Sequence, residues 1–326
     1  MSIRVLKRPE DIHCVAFQLI LVVAYVSAFV LYLHPAFSGI DTSAERVAYC
    51  LGAGLMLGWC SGINVGVNFH NHVHRPVFNS PWLNRWFGRL WTVSGGWPAQ
   101  YWEHAHVTVH HAELLQESDW TLPYRVKAGR WENPYWNALA SWPFRYAKHL
   151  SRDFSSGRGG PDIGRTALKE LAFFLAIFAI PFLIDWRMAI GLWLYPAWVA
   201  NAMVMGPGMY AQHADCEIET AEHPYHHSNT FIQNAFNLTM FNIGYHIEHH
   251  AHPLVHWSVL PDLHERLKPR LIEDEAHILP FGYYRAGQLL CQRTFSQRAA
   301  ERWAVQHPDY VYRKRGSPQL VSSTGD

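Results

Sequence analysis

The chain has 326 residues, a formal net charge of +1 at neutral pH, and as many as 22 histidines. So small a net charge gives no sign of a nucleic-acid partner, whereas clustered histidines indicate a metal site, because imidazole is a common ligand of iron, zinc and copper. The five cysteines have neither a CxxC pair nor a ligand spacing, which argues against a disulfide framework or a thiolate cluster.

Four apolar segments are long enough to cross the roughly 30 Å hydrocarbon core of a membrane as helices. The predicted spans are residues 15–33, 47–67, 168–184 and 188–206. The first has no clear cleavage site and is expected to stay attached as an anchor. Because the connections inside the first and second pairs are short, we predict two membrane hairpins.

The distribution of basic residues predicts the orientation of these hairpins. Lys and Arg are concentrated at the N-terminus, in residues 68–166 and after residue 213, and are nearly absent from the two hairpin connections. By the positive-inside rule, both termini and the long polar segments then face the cytoplasm. The fold class expected is an all-α, multi-pass integral membrane protein, one domain over residues 1–326. A helical cytoplasmic cap would comprise residues 68–166 and 213–315, followed by a disordered segment, 316–326.

Nine histidines stand near the predicted cytoplasmic ends of the spans or in the cap. In chain order they are His70 and His74; His106, His110 and His111; His213; and His246, His249 and His250. Residues three, four or five apart lie close to one face of a helix, so each multiple set is predicted to project its imidazoles together. In residues 240–252, MFNIGYHIEHHAH, a helix would project three imidazoles from one face, where they can converge on one metal centre.

This order of motifs, HxxxH, HxxxHH and HxxHH among four spans, resembles the membrane fatty acid desaturase superfamily over roughly residues 15–270. The resemblance implies that the nine histidines hold two iron ions, with His213 as the additional ligand beyond the fourth span. It also implies that Asn242 ligates through water. The activity implied is oxygen-dependent formation of a double bond in a fatty acyl or other lipid chain. Hydroxylation or ketolation of a lipid or carotenoid remains open, as does formation of a triple bond.

Metal-bound histidines normally donate their second ring nitrogen to an acceptor. The acids near the motifs are Glu103, Glu113, Asp119, Asp215 and Glu248, of which Asp119 and Glu248 are taken as site residues. The alternative for each is an exposed surface carboxylate. Among the other thirteen histidines, six are singled out as surplus to the ligand set, namely His72, His104, His226, His227, His252 and His256. Of these, His104 and His227 are candidates for contacts with the ligands, and residues 222–227 are a candidate substrate entrance.

Two other classes of protein fit the sequence less well. A membrane zinc protease needs HExxH, whereas the acid in His246-Ile247-Glu248-His249 stands at the third place. A metal transporter would carry ionisable groups inside its spans, and these spans have almost none.

The electron donor and the substrate are expected to be separate molecules. Because the cysteines lack cluster spacing, electrons would come from a ferredoxin or a cytochrome b5-type protein. Basic residues could dock that donor or an acyl carrier, namely Arg75, Arg85, Arg89, Arg125, Lys127 and Arg130. The alternative is the ordinary positive-inside bias.

Overall fold

The computed structural model describes residues 5–125, 130–283 and Val305. The chain divides into two compact units. Unit 1 consists of residues 1–103 and 153–205, and unit 2 of residues 104–152 and 206–326. Several predicted features lie outside the described residues, namely most of the cap after residue 283, the segment 316–326, Lys127, and the side chains of Arg125 and Arg130. One domain over residues 1–326 stays a prediction.

The described chain is mostly helical. In chain order its α-helices are α1 (Ile12–Leu33), α2 (Pro35–Ser38), α3 (Ser43–Ile63), α4 (His70–His74), α5 (Pro81–Gly95), α6 (Ala99–Glu103), α7 (Pro134–Trp136), α8 (Trp142–Ser156), α9 (Ile163–Ile184), α10 (Trp186–Ala189), α11 (Tyr195–Val199), α12 (Gly206–His213), α13 (Asn234–Thr239), α14 (His246–Ala251) and α15 (Leu260–Glu273). π-Helical turns are Asn64–Phe69, His104–His110, Asn137–Ser141, Ile190–Leu194 and Ala200–Met205. Short 3₁₀ turns are Pro9–Asp11 and Trp257–Val259.

Among the described residues, four helices are long and apolar enough to cross a membrane, as predicted. They are Pro9–Leu33, Ser43–His74, Ile163–Ile184 and Trp186–His213. The second and fourth continue seven residues beyond their predicted ends. The end of an apolar run indicates where a span leaves the hydrocarbon. The helix itself continues past that point, because π-helical turns maintain its backbone hydrogen bonds. As a result, His74 and His213 are the last residues of these helices.

Small residues let α3 approach the fourth span closely inside unit 1. A Cβ placed on Gly54 would lie 2.4 Å from the Gly191 carbonyl oxygen, and one on Gly58 would lie 2.5 Å from Val199 Cβ. Gly62 continues the spacing of four residues, and its added Cβ would lie 2.5 Å from a Val204 carbon. Such small-residue faces bring membrane helices into backbone contact, so the two helices pack at a distance that no larger side chain permits.

The prediction of an all-α fold needs one correction in unit 2. The described part of unit 2 contains two small sheets: β1 (Tyr124–Arg125) pairs antiparallel with β2 (Arg130–Trp131), and β3 (Asn229–Phe231) pairs parallel with β4 (His277–Leu279). Strands of two or three residues are too short to show a period-two pattern in sequence. A core formed by α14, α15 and β4 supports the second sheet, with Ile247, Leu263, Leu267, Leu271 and Ile278 buried.

Glu132 is a buried anchor for the segment that leads into α7 and α8. Its carboxylate accepts hydrogen bonds from Asn137 at 2.8 Å and Ser141 at 2.7 Å, and pairs with Arg145 at 3.0 Å. Burial raises the pKa of this carboxyl, but the Arg145 charge, helped by the hydrogen bonds, outweighs burial and lowers it. The main-chain carbonyl of Glu132 accepts from the Tyr210 hydroxyl, which joins this anchor to α12.

This lowered pKa gives a testable dependence of stability on pH. An ionised Glu132 stabilises the folded protein above its unfolded pKa of about 4.3, and the stabilisation disappears as pH falls through the lower folded value. We expect Glu132→Gln to lose about 2 kcal/mol at pH 7 and to approach wild-type stability below the folded pKa. Thermal unfolding of both proteins in detergent across that range checks this, and a pH-independent difference would contradict it.

Candidate metal centre

Seven of the nine predicted histidines lie in unit 2, where they form two groups. Group A consists of His106, His111 and His249. Group B consists of His110, His213, His246 and His250. Within each group, every member offers a ring nitrogen within 4.8 Å of the others. His70 and His74 belong to unit 1, where their rings lie 5.1 Å apart on α4.

The spacing of the Nε2 atoms within the groups suits shared metal ligation. In group A, His111 Nε2 lies 3.1 Å from His106 Nε2 and 3.3 Å from His249 Nε2. In group B, His246 Nε2 lies 3.2 Å from His213 Nε2 and 3.1 Å from His250 Nε2. Two nitrogens bound to one ion at about 2.0–2.1 Å are themselves about 3.0–3.4 Å apart. The donors therefore stand at the separations that a bound ion would require.

The second motif is divided between the groups by a π-helical turn. In this turn the His111 amide donates to the His106 carbonyl at 3.0 Å, a bond that spans five residues. His106 and His111 consequently pair in group A, while the His110 ring lies 4.8 Å from that of His213 in group B. The spacing predicts a helix here but not its type, because a π turn is set by tertiary packing and leaves no periodic signature in sequence.

The third motif is divided as well, by the ordinary α-helical geometry of α14. His246 and His250, four residues apart, pair in group B, whereas His249 reaches group A. The structure therefore places these three imidazoles in two groups of possible ligands and not in one. Three imidazoles at i, i+3 and i+4 spread over part of a helix circumference, which is wide enough to serve two neighbouring groups.

Asp119 is the hydrogen-bond partner of His110 Nδ1, the ring nitrogen that is not the proposed ligand atom. The fully buried carboxylate lies 3.1 Å from His110 Nδ1 and accepts from the Thr121 hydroxyl and from the main-chain amides of Leu115 and Thr121. Burial raises the pKa of Asp119, but nearby His110 outweighs burial and lowers it. An ionised acceptor at Nδ1 keeps the proton there and leaves Nε2 as the ligand atom.

Strand β3 holds His213 at the end of α12. His213 Nδ1 donates to the His227 carbonyl at 3.3 Å, and the Asn229 side chain donates to the carbonyls of Ala211 and Ala214. His277 on β4 in turn lies 2.7 Å from the Asn229 amide oxygen. Sequence reasoning missed Asn229 and His277, because nothing in a single sequence indicates which strand will cap a helix end.

Glu248 and Asn242, both predicted as site residues, contact other partners. Glu248 is fully buried on α14, where it accepts from the Thr230 hydroxyl at 2.7 Å and pairs with His264 Nδ1. Asn242 adopts a left-handed conformation with φ of 60° and donates to the Trp257 carbonyl. Both therefore fix the backbone around the third motif. The side chain beside His246 Nδ1 is Gln212, at 3.2 Å.

Two of the surplus histidines, His72 and His256, make hydrogen bonds that need no metal. His72 Nδ1 accepts from the Val77 amide in a stack with Phe69 and Trp91. His256 caps the 3₁₀ turn through Ser258. The ring of His227 lies 5.6 Å from that of His250. His227 therefore lies beside group B and stays a candidate for contacts with the ligands.

Burial keeps the His250 imidazole neutral. Removal from water, followed by the neighbouring His111, His246, His110 and His213 rings, holds the pKa of His250 well below its ordinary value. A neutral imidazole has a lone pair to offer a cation. A donor set made only of imidazole nitrogens suits iron, zinc or copper rather than calcium or magnesium. The residues present therefore fit a metal ion of this class, iron included, in each group.

Replacing Asp119 should weaken metal binding without removing a ligand. Asp119→Asn keeps the shape of the side chain but loses the charge that holds the proton on His110 Nδ1. We expect iron affinity to fall about 10- to 100-fold. Chelator competition on the purified protein measures this, with Glu117→Gln, an exposed carboxylate of the same loop, as the control. Equal affinities in the two variants would contradict the role of Asp119.

A family model described as fatty acid desaturase matches residues 46–282, nearly three quarters of the sequence. The match includes all nine predicted histidines. No curated protein matched the chain.

Proposed function

Because the chain belongs to the fatty acid desaturase family, we propose that it is a di-iron, oxygen-dependent membrane oxidoreductase that forms a double bond in a fatty acyl or other lipid chain. The observation that carries this proposal is the presence of two separate groups of histidine nitrogens in unit 2. One group would serve a single ion, as in many hydrolases, whereas two groups supply the donors for a pair.

The residues proposed to hold the two ions are the members of groups A and B. The resemblance in motif order extends the proposal to His70 and His74. Bound iron would supply the means to reduce oxygen and to remove a hydrogen atom from an unactivated C–H bond. The protein contributes orientation through Asp119 and β3, and it shields part of group B from water, because His110, His213 and His246 are each at most 2% exposed. A dry site protects a reactive centre from side reactions.

Membrane insertion fits a substrate with a long apolar chain. The four candidate spans would keep the enzyme within reach of membrane lipids. We propose that the termini face the cytoplasm. Basic residues are concentrated on the side of the predicted hairpins that carries the termini, and they are nearly absent from the two hairpin connections on the other side.

Electrons are proposed to come from a separate ferredoxin or cytochrome b5-type donor that docks on basic residues. Arg85 is exposed and available for this. Arg89 is engaged elsewhere, since it pairs with the buried Glu170 at 3.0 Å and lies over the Trp86 and Phe173 rings. We therefore exclude Arg89 from the docking face.

Metal analysis and product mass test the function together. The purified protein should contain about two irons per chain, and cells that express it should contain a lipid lighter by two hydrogens than the same lipid in cells expressing His250→Ala. A product heavier by one oxygen would identify a hydroxylase instead. Zinc in place of iron, or one metal per chain, would contradict the di-iron proposal.

A further inference from the structure

A second cluster of potential metal ligands lies in unit 2, outside groups A and B. His223, His226 and Asp274 each offer one ligand atom within 4.8 Å of the other two. His223 and His226 belong to the loop 217–226, and Asp274 immediately follows α15. The fatty acid desaturase motifs and the proposed di-iron centre use none of these residues.

The distances within this cluster are close to those of a tetrahedral metal site. Asp274 Oδ1 lies 2.9 Å from His223 Nδ1 and 3.6 Å from His226 Nε2. Donors bound tetrahedrally at about 2.0–2.1 Å are about 3.3–3.4 Å apart, so the observed separations lie near those of bound ligands. The two imidazole rings are stacked 4.3 Å apart and within 10° of parallel, so one ring must turn before both nitrogens direct their lone pairs at one ion.

The loop is closed before any cation arrives. The Glu217 amide donates to the His226 carbonyl at 3.0 Å, and the His223 amide donates to the Thr220 hydroxyl at 3.0 Å. The Tyr225 amide donates to Asp274 Oδ2 at 2.9 Å, so the second carboxylate oxygen fixes the orientation of the first. Ligands that are already ordered lose little conformational entropy on binding.

We propose that His223, His226 and Asp274 form a binding site for one divalent cation of the zinc class, distinct from groups A and B. Two imidazole nitrogens and a carboxylate oxygen are a donor set that zinc accepts. Water takes the fourth position, because the His223 side chain is 56% exposed. Without the cation, His226 Nε2 donates to the Asp274 carbonyl at 2.6 Å, and His226 exchanges that bond for the metal.

Occupation of this site joins the loop 217–226 to the end of α15. His227 follows the loop directly, and its carbonyl accepts from His213 Nδ1. The cation therefore stabilises the part of unit 2 that orients His213. This inference does not depend on which reaction the enzyme performs.

Zinc binding to the iron-loaded protein in detergent tests the proposal. Calorimetric titration should show one zinc bound per chain with no loss of iron, and zinc should raise the unfolding temperature. His223→Ala and Asp274→Asn should each weaken zinc binding by at least about 10-fold. Loss of a residue that only orients a metal ligand already lowers affinity by about 10- to 100-fold, and these two residues are the proposed ligands themselves. Both variants should keep their full iron content.

Glu222→Gln is the matched control, because Glu222 is an exposed acid of the same loop and is not a member of the cluster. It should bind zinc as the wild type does. Cobalt(II) provides a second readout: the wild type should give the visible absorption of a four-coordinate site, and His223→Ala should not. Zinc affinity that is equal in wild type, His223→Ala and Asp274→Asn, or zinc uptake only with loss of iron, would overturn the proposal.

Discussion

His249→Ala is expected to abolish turnover and to lower the iron content of the purified protein. His249 is the residue of the third motif that belongs to group A, and its Nε2 atom lies 3.3 Å from the Nε2 atom of His111. Alanine leaves two group A histidines in unit 2, and an incomplete set of ligands loses metal affinity by more than about 100-fold. Metal analysis per chain, together with product formation in the same preparation, measures both effects.

His252→Ala is the control for this variant. His252 is an exposed histidine one residue beyond α14, and it belongs to neither group. Its replacement should leave iron content and activity near the wild-type level. If His249→Ala and His252→Ala lost iron to the same extent, the division of the third motif between groups A and B would be wrong.

Glu248→Ala, a change on α14 outside the two groups, should destabilise the protein strongly. The fully buried carboxylate is the hydrogen-bond partner of His264 and Thr230, and each buried donor left without its acceptor costs about 1–3 kcal/mol. The unfolding temperature in detergent should then fall by about 10 °C. Iron content should fall too, because the same pair fixes α14 against α15 and β3.

Two further variants separate this effect from a general loss of charge. Glu248→Gln keeps an oxygen acceptor for His264, so it should lose less than half as much stability as Glu248→Ala. Glu265→Ala removes an exposed carboxylate from α15 and should change the unfolding temperature little. Equal unfolding temperatures for wild type and Glu248→Ala would contradict the anchoring role.

The sequence predicts the spans and the choice of histidines because both depend on local composition. Runs of about 20 apolar residues identify membrane helices whatever their neighbours are. Histidines at i and i+4 of an α-helix, such as His246 and His250, lie on one helix face for the same local reason. Asp119 could also be foreseen, since it follows the second motif closely and a metal-bound imidazole needs an acceptor.

The remaining features depend on contacts between distant residues. Glu248 lies between two proposed ligands in sequence, yet it faces His264, sixteen residues away. Asn229 and His277 meet only because β3 and β4 pair in parallel. Neither pairing leaves a periodic or compositional signal, so a single sequence cannot indicate the partner.

The π turn of the second motif also bears on how such motifs change length during evolution. The second motif has one residue more than the third, yet His106 and His111 are paired at the same 3.1 Å as His246 and His250. In an α-helix, residues five apart point about 140° away from each other, so the π turn absorbs the additional residue. Deletion of exposed Val107 or Thr108 would convert the turn to α-helix and yield HxxHH. A change of one codon would thus convert the HxxxHH motif to HxxHH without exchange of ligands. Sequence alignments should accordingly allow a one-residue gap between the first histidine of the motif and its final pair.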